Sequence, residues 1–244
     1  LKIAGRFTRF NLLTDNYLLR GARCAVFAAA VSCGGAAQPS PEQTPAPAPP
    51  TIPLPTAGLA GQRVSLYPLT LVAAEDSLHW EALVRDRRGT LWRADSVIGE
   101  LLAARAPEVG WIAPAELRRS ARRAIGIASD PDQMGTSILR ADGIDQVPDP
   151  LRTQLRSLTA LAGGRFAVVP AALVYKRGLV PRGQAGRSVP RAHGGATEAT
   201  AELTIVMVDV RMGRVVWRTI ARGDGPDAWS ALTTAVKALT PGLP

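Results

Sequence analysis

The chain has 244 residues, of which 46% are hydrophobic but only 5% aromatic, with 20 prolines and 23 glycines. Such a composition builds a core over part of the length and low-complexity tracts over the rest. The net charge is +9; five bases and one acid precede Cys33, and the other 24 bases and 19 acids leave +5 as scattered arginine, a solvated surface rather than a nucleic-acid stripe. Beyond residue 33 only His79 and His193 remain of the Cys/His ligand types, which excludes a metal site of that class.

Residues 1–23 are basic, residues 24–31 (CAVFAAAV) form a short apolar run, and small residues follow. This is the outline of a secretory signal over residues 1–32. Residues 1–17 add little to it, so a start near Leu18 or Leu19 leaves a compact leader. The apolar run falls far short of the roughly 20 residues a spanning helix needs. Ala30-Val31-Ser32-Cys33 resembles the bacterial lipobox, with Ala30 where leucine is usual. In that pattern the cysteine receives a diacylglyceryl group and becomes the first residue after cleavage. A thioether-linked lipid with a further acyl chain supplies the two or more chains that stable anchoring requires. Cys24 follows Arg23 and fits the pattern poorly; once it leaves with the leader, Cys33 has no disulfide partner. By resemblance to enterobacterial sorting, Gly34 rather than aspartate implies the outer membrane. Residues 35–55 hold eight prolines, a semi-rigid polyproline II spacer. The expected organisation is a lipidated linker over 33–57 and a single domain over 58–244.

Residues 63–72 (RVSLYPLTLV) read as a strand, with Pro68 marking an edge or an end. A helix capped by Thr90 and running to about Arg105 has Leu91, Ala94, Ile98, Leu101 and Leu102 on one face. A short extended segment over 109–113 precedes Pro114, which suits the first turn of a helix reaching about Ile127. There Leu117, Ala121, Ala124 and Ile125 form a stripe opposite Arg118, Arg119, Arg122 and Arg123, a basic face expected in solvent. Asp149-Pro150 starts a helix in which Leu151, Leu155, Leu158 and Leu161 recur until Gly163-Gly164 stops them. A buried strand follows over 165–175, then a Gly/Pro-rich loop over 176–196. Residues 200–210 and 214–221 form a hairpin across Arg211-Met212-Gly213, with Gly213 at positive φ. Pro226 opens a last helix with Trp229, Leu232, Thr233, Val236 and Leu239 on one face. The expected fold class is α/β, a small mixed sheet with helices packed on it in the order β-α-β-α-α-β-β-β-α.

Residues 130–135 (DPDQMG) begin like a calcium loop, but Met134 stands at the third ligand position and Ala141 at that of the bidentate glutamate, so the segment reads as a turn. No phosphate loop or nucleophile elbow is present, and no cofactor is expected. Adjacent acids such as Glu75-Asp76 leave a periplasmic enzyme with carboxylate chemistry as an alternative. A cytoplasmic nucleic-acid binder is a more remote one, and would show steep salt dependence. Arg177, Arg182, Arg187 and Arg191, without an intervening acid, are candidate contacts to anionic phospholipid, lipopolysaccharide or an acidic partner.

RVSLYPL at 63–69, LTALAGGRFAVVPAALVY at 158–175 and above all VMVDVRMGRVVWRTIARG at 206–223 resemble a family of bacterial envelope domains. It comprises the amino-terminal domain of TolB-type proteins, the curli-secretion lipoprotein CsgG and the penicillin-binding-protein activator LpoB. There a strand ends in aspartate, a short turn carries glycine and the return strand often ends in an aromatic, matched here by Asp209, Gly213 and Trp217. Gly164-Arg165 departs from the family's small-residue-plus-Asp turn, and 73–89 is longer and more charged. The resemblance implies a non-catalytic envelope lipoprotein that faces the periplasm and contacts other envelope proteins. A CsgG-like pore would need amphipathic strands of about 9–11 residues, and the insertion over 177–196 lacks that alternation.

Overall fold

The computed structural model describes residues 50–178 and 199–241. After one turn of helix, α1 (Thr56–Leu59), the strand expected over 63–72 is split into β1 (Arg63–Leu66) and β2 (Val72–Ala74). Proline has no N–H to donate, so the ladder stops at Pro68 and resumes after the bend. A side chain satisfies part of the gap, because the Leu69 N–H donates to Asp95 Oδ1 at 2.8 Å.

The short helix α2 (Glu81–Arg85) leads into α3 (Arg87–Arg105), which begins earlier than expected. Its cap is Asp86, which accepts the Gly89 N–H at 3.1 Å. Thr90 is instead buried within the helix, and its hydroxyl donates to the Leu83 carbonyl at 2.8 Å. Strand β3 (Gly110–Ile112) precedes α4 (Pro114–Arg123). That helix ends short of Ile127: the chain turns away through Gly126 at φ 84°, a left-handed conformation that glycine adopts without strain. Leu117 and Ala121 are buried as expected, whereas Ile125 is 87% and Ile127 72% exposed. Arg118, expected in solvent, is buried.

In α5 (Leu151–Ala162), Leu151, Leu155 and Leu158 are buried, Leu161 is half exposed, and Gly163 at φ 80° ends the helix. Asp149 ties the first turn through Thr153 Oγ1 at 3.0 Å and Arg152 at 2.6 Å. Strands β4 (Phe166–Arg177), β5 (Ala199–Asp209) and β6 (Arg214–Gly225) follow, then α6 (Ala228–Ala238). Asp227 caps α6, accepting the Trp229 and Ser230 N–H groups at 2.9 and 3.1 Å.

The sheet runs β3-β1-β4-β5-β6, with β2 also on β4. Strands β3, β1 and β2 lie parallel to their partners, while β4, β5 and β6 form an antiparallel meander. Residues on α3 and α6, among them Ile98, Leu102, Leu232 and Val236, pack with Val168, Leu173 and Ile205. Residues on α4 and α5, such as Leu117, Leu155 and Leu158, pack with Ala167, Val169 and Val206 in a second cluster. The expected α/β class is therefore observed, a six-stranded mixed sheet with helices on both faces. A register shift in β4 between Pro170 and Ala172 explains how Val168 and Leu173, of opposite parity, share a face.

Strand β6 ends the sheet, and its outer edge is covered by two segments. Val147 N–H donates to the Gly213 carbonyl and Val215 N–H to that of Asp145. Higher up, Ile52 N–H donates to Thr219 Oγ1 at 2.8 Å and Trp217 Nε1–H to the Pro53 carbonyl at 3.0 Å. Covering the edge removes a template for strand addition by another chain.

Candidate functional site

A concave feature of about 610 Å³ lies between α3 and α4. On α3, Trp92, Asp95, Gly99 and Ala103 recur at helical spacing and face one way; on α4, Ala115, Arg118 and Arg122 face them. The small residues Gly99, Ala103 and Ala115 leave room between the longer side chains. A second hollow of about 350 Å³ adjoins it, sharing Trp92, Arg118 and Arg122 and reaching Ile125, Gly126 and Asp130.

Arg118 ties the site together from beneath. Its Nη2 donates to Asp95 Oδ2 at 2.5 Å and to Asp132 Oδ1 at 2.6 Å, and its Nε lies 2.9 Å from both Asp132 oxygens. The Arg118 side chain is 8% exposed and that of Asp95 4%. Asp95 also accepts the Leu69 N–H, so one carboxylate joins the broken strand β1–β2, helix α3 and helix α4. Burial pushes the Asp95 carboxyl up to about 6, against the Leu69 N–H and Arg118, which favour its charge. For Arg118 burial opposes the charge, but the carboxylates of Asp132 and Asp95 outweigh it and hold the guanidinium above its ordinary value. The guanidinium also lies 5.0 Å from the centroid of the Trp92 ring, within cation–π range.

Both oxygens of Asp95 are engaged and its side chain is enclosed, so it is not placed to exchange protons with a substrate. Glu75 and Asp76 both line a separate hollow of about 370 Å³, with Trp80, Glu81 and Arg85. Glu75 Oε2 accepts the Arg177 backbone N–H at 3.1 Å, and Asp76 begins a single 3-10 turn. The segment 130–135 is a turn, with Asp130 capping Asp132 N–H at 3.1 Å and Met134 buried. Among the described residues no cluster of three or more His, Cys, Asp or Glu can hold a metal ion, and no helix is long and apolar enough to cross a membrane.

Of the residues singled out from sequence, Arg177 stands exposed at the end of β4. Arg182, Arg187, Arg191 and Cys33 lie outside the described residues. Asp209 and Gly213 hold the hairpin turn in place, whereas the Trp217 indole donates to the Pro53 carbonyl outside it. Asp209 accepts the Arg211 and Met212 N–H groups and pairs with Arg165 at 2.6 Å; although burial raises its pKa, these partners hold it below the ordinary carboxylate range. Sequence reasoning missed Trp92 and Asp95, and met Asp132 only as part of the 130–135 turn. Trp92 alone carried a signal, as a large aromatic off the apolar stripe of its helix; it is 52% exposed.

No protein-family model and no curated protein matches the chain. Among solved structures it is similar to the PelC dodecamer from Paraburkholderia phytofirmans, at 15% identity over 79% of this chain and 92% of that one, with a TM-score of 0.33. It is also similar to the LpoB C-terminal domain from Escherichia coli, at 12% identity over 67% and 83%, with a TM-score of 0.32. A third is Lipoprotein GNA1162 from Neisseria meningitidis, at 13% identity over 66% and 78%, with a TM-score of 0.28. LpoB, whose family the 206–223 hairpin resembles, is thus among the solved structures this chain is similar to.

Proposed function

We propose that this chain is a lipid-anchored component of the bacterial cell envelope that works without catalysis, as a docking or assembly partner for other envelope proteins. The observation that carries this reading is the α3–α4 groove, where an exposed tryptophan stands over ionisable groups that satisfy one another. Such a surface suits contact rather than proton transfer. Cys33 is the anchor, and the proline-rich linker holds the domain off the periplasmic face of the outer membrane.

Metabolic labelling with a palmitate analogue, combined with cell fractionation, tests the anchor. Label and membrane association are expected in wild type and lost in Cys33→Ser; unlabelled wild-type protein in the cytosol would overturn it.

Arg177, Arg182, Arg187 and Arg191 form a basic arm toward anionic lipid in the same proposal, since arginine grips phosphate with paired donors. With Cys33→Ser as background, the domain is expected to sediment with phosphatidylglycerol vesicles at low salt and to stay in solution once the four arginines are changed to glutamine. Equal sedimentation of both proteins would remove the arm from the proposal.

A further inference from the structure

Apart from the α3–α4 groove, we propose that the free edge of β2 takes an extended, basic segment of a protein partner as an added strand. Strand β2 pairs with β4 and with no other strand. The Leu71 carbonyl accepts the Leu173 N–H at 3.0 Å, and the Glu75 N–H donates to the Tyr175 carbonyl at 2.9 Å. Successive residues of a strand turn their backbone groups to opposite sides, so residues 71, 73 and 75 face β4 while Val72 and Ala74 face away. On that outer side neither has a hydrogen-bond partner among the described residues. Val72 is only 6% exposed, and backbone groups so enclosed are as a rule paired. The outer edge of β6, by contrast, is covered by two segments of this chain.

The hollow of about 370 Å³ follows this edge. Residues 72–76 line one side of it, and Trp80, Glu81 and Arg85 line the other. Five consecutive residues take part although their side chains alternate between the two faces of the sheet, and no residue of β4 does. The hollow therefore lies along the rim of the sheet and not over one of its faces. An extended chain placed there meets the N–H and C=O of Val72 and of Ala74, the pattern of main-chain groups that strand addition uses. Trp80, edge-on to Tyr175 with ring centroids 5.4 Å apart, gives the added chain an apolar wall.

Charge decides which extended segment fits. The lining holds three carboxylates, Glu75, Asp76 and Glu81, against one guanidinium, Arg85. All three acids are exposed. Glu75 is held by the Arg177 backbone N–H and the Ser77 hydroxyl, contacts that leave its charge uncancelled. Glu81 lies 3.9 Å from His79 Nδ1, and that imidazole is neutral at pH 8. An excess of carboxylates beside unpaired backbone groups selects a basic strand and disfavours an acidic one.

The test uses the full chain with Cys33→Ser at pH 8. The probe is a fluorescein-labelled peptide of about nine residues in which Val alternates with Lys or Arg, read by anisotropy. Saturable binding is expected, weakening as salt rises. It should fall at least about tenfold in Ala74→Pro, which removes an outward N–H that β4 does not use. A fall of the same size is expected in Asp76→Lys/Glu81→Lys, and both variants are checked for an unchanged melting temperature. On the peptide side, N-methylation of the central residues, which keeps every charge but removes the main-chain donors, should weaken binding at least about tenfold, as should Glu in place of Lys and Arg. Trp92→Ala, in the other groove, should bind as wild type does.

No saturable binding would overturn the proposal. So would binding indifferent to both Ala74→Pro and N-methylation, which would mean charge attraction without strand pairing. Loss in Trp92→Ala with none in Asp76→Lys/Glu81→Lys would move the peptide to the α3–α4 groove and equally overturn it. Two further results would replace the partner by another occupant. Binding at least about tenfold tighter after Arg182→Gln/Arg187→Gln/Arg191→Gln would assign the edge to this chain's own basic segment. Concentration-dependent self-association in sedimentation velocity, abolished by Ala74→Pro, would assign it to a second copy. None of these outcomes touches the labelling of Cys33, so the anchor and the strand edge fail separately.

Discussion

Arg118→Met is expected to lower the stability of the domain by about 3–5 kcal/mol at pH 8, because it strands a buried carboxylate rather than a surface one. Asp132 is partly exposed and recovers water, but the Asp95 side chain is 4% exposed and keeps only the Leu69 N–H. For a domain of this size the loss corresponds to a fall in Tm of roughly 6–20 °C.

The pH dependence separates the stranded charge from lost packing. In the wild type burial already lifts Asp95 to about 6, well above its unfolded value, so what this group contributes is fully present below about pH 4 and is lost as pH rises through 6. Without Arg118 its folded pKa rises further. The mutant therefore regains stability on acidification, and the gap to wild type should be widest at pH 8 and narrow by pH 5. Thermal unfolding across that range is the measurement; a gap that stays constant would mean that Arg118 acts only as packing.

Gly223→Ala is expected to cost about 4 kcal/mol or more, a fall in Tm of roughly 8–16 °C. A Cβ at this position would lie 2.5 Å from the Ala231 carbonyl oxygen and 2.6 Å from the Thr234 carbonyl carbon, with the Ala235 nitrogen closer still. These are backbone atoms of α6, which cannot rotate aside as a flexible side chain would. A Cβ on Gly225, two residues along the strand, would come as close to the Ala231 nitrogen and the Ser230 carbonyl carbon, so α6 sits on β6 over two glycines. Gly58→Ala, with nothing within 4 Å of the added carbon, serves as the control and should leave Tm unchanged. If Gly223→Ala melts within about 2 °C of wild type, the close seating of α6 is refuted.

The elements legible in the sequence are those whose signal is local. The Leu151, Leu155 and Leu158 repeat is a helix face that needs no distant partner to be recognised, and Arg211-Met212-Gly213 specifies its own turn through the positive φ of Gly213. Pro68 announced an interruption correctly, but not that the strand would resume as β2 on the same neighbour; that depends on the register of β4. The site was nearly illegible. Arg118 sits in a run of arginines that looks solvated, and what buries it is Asp95, 23 residues before it, and Asp132, 14 residues after it. No periodicity links those positions, because the connection is made across two helices and a turn. Thr90 misled for a related reason: its hydroxyl has a capping residue's chemistry, but here the helix starts one turn earlier at Asp86.

The segment that covers the upper edge of β6 also has a mechanical meaning. Residues 51–54 lie where the preceding chain joins the domain, and Leu54 is buried there with its N–H donating to the Leu239 carbonyl at 2.8 Å. Tension applied to the chain before residue 51 is therefore taken first by the contacts of Ile52, Pro53 and Leu54 with Thr219, Trp217 and Leu239. The residues that line the α3–α4 groove include none of these. A pull on the chain before residue 51 thus loads one end of the sheet at β6, while the α3–α4 groove keeps its shape until those contacts give way.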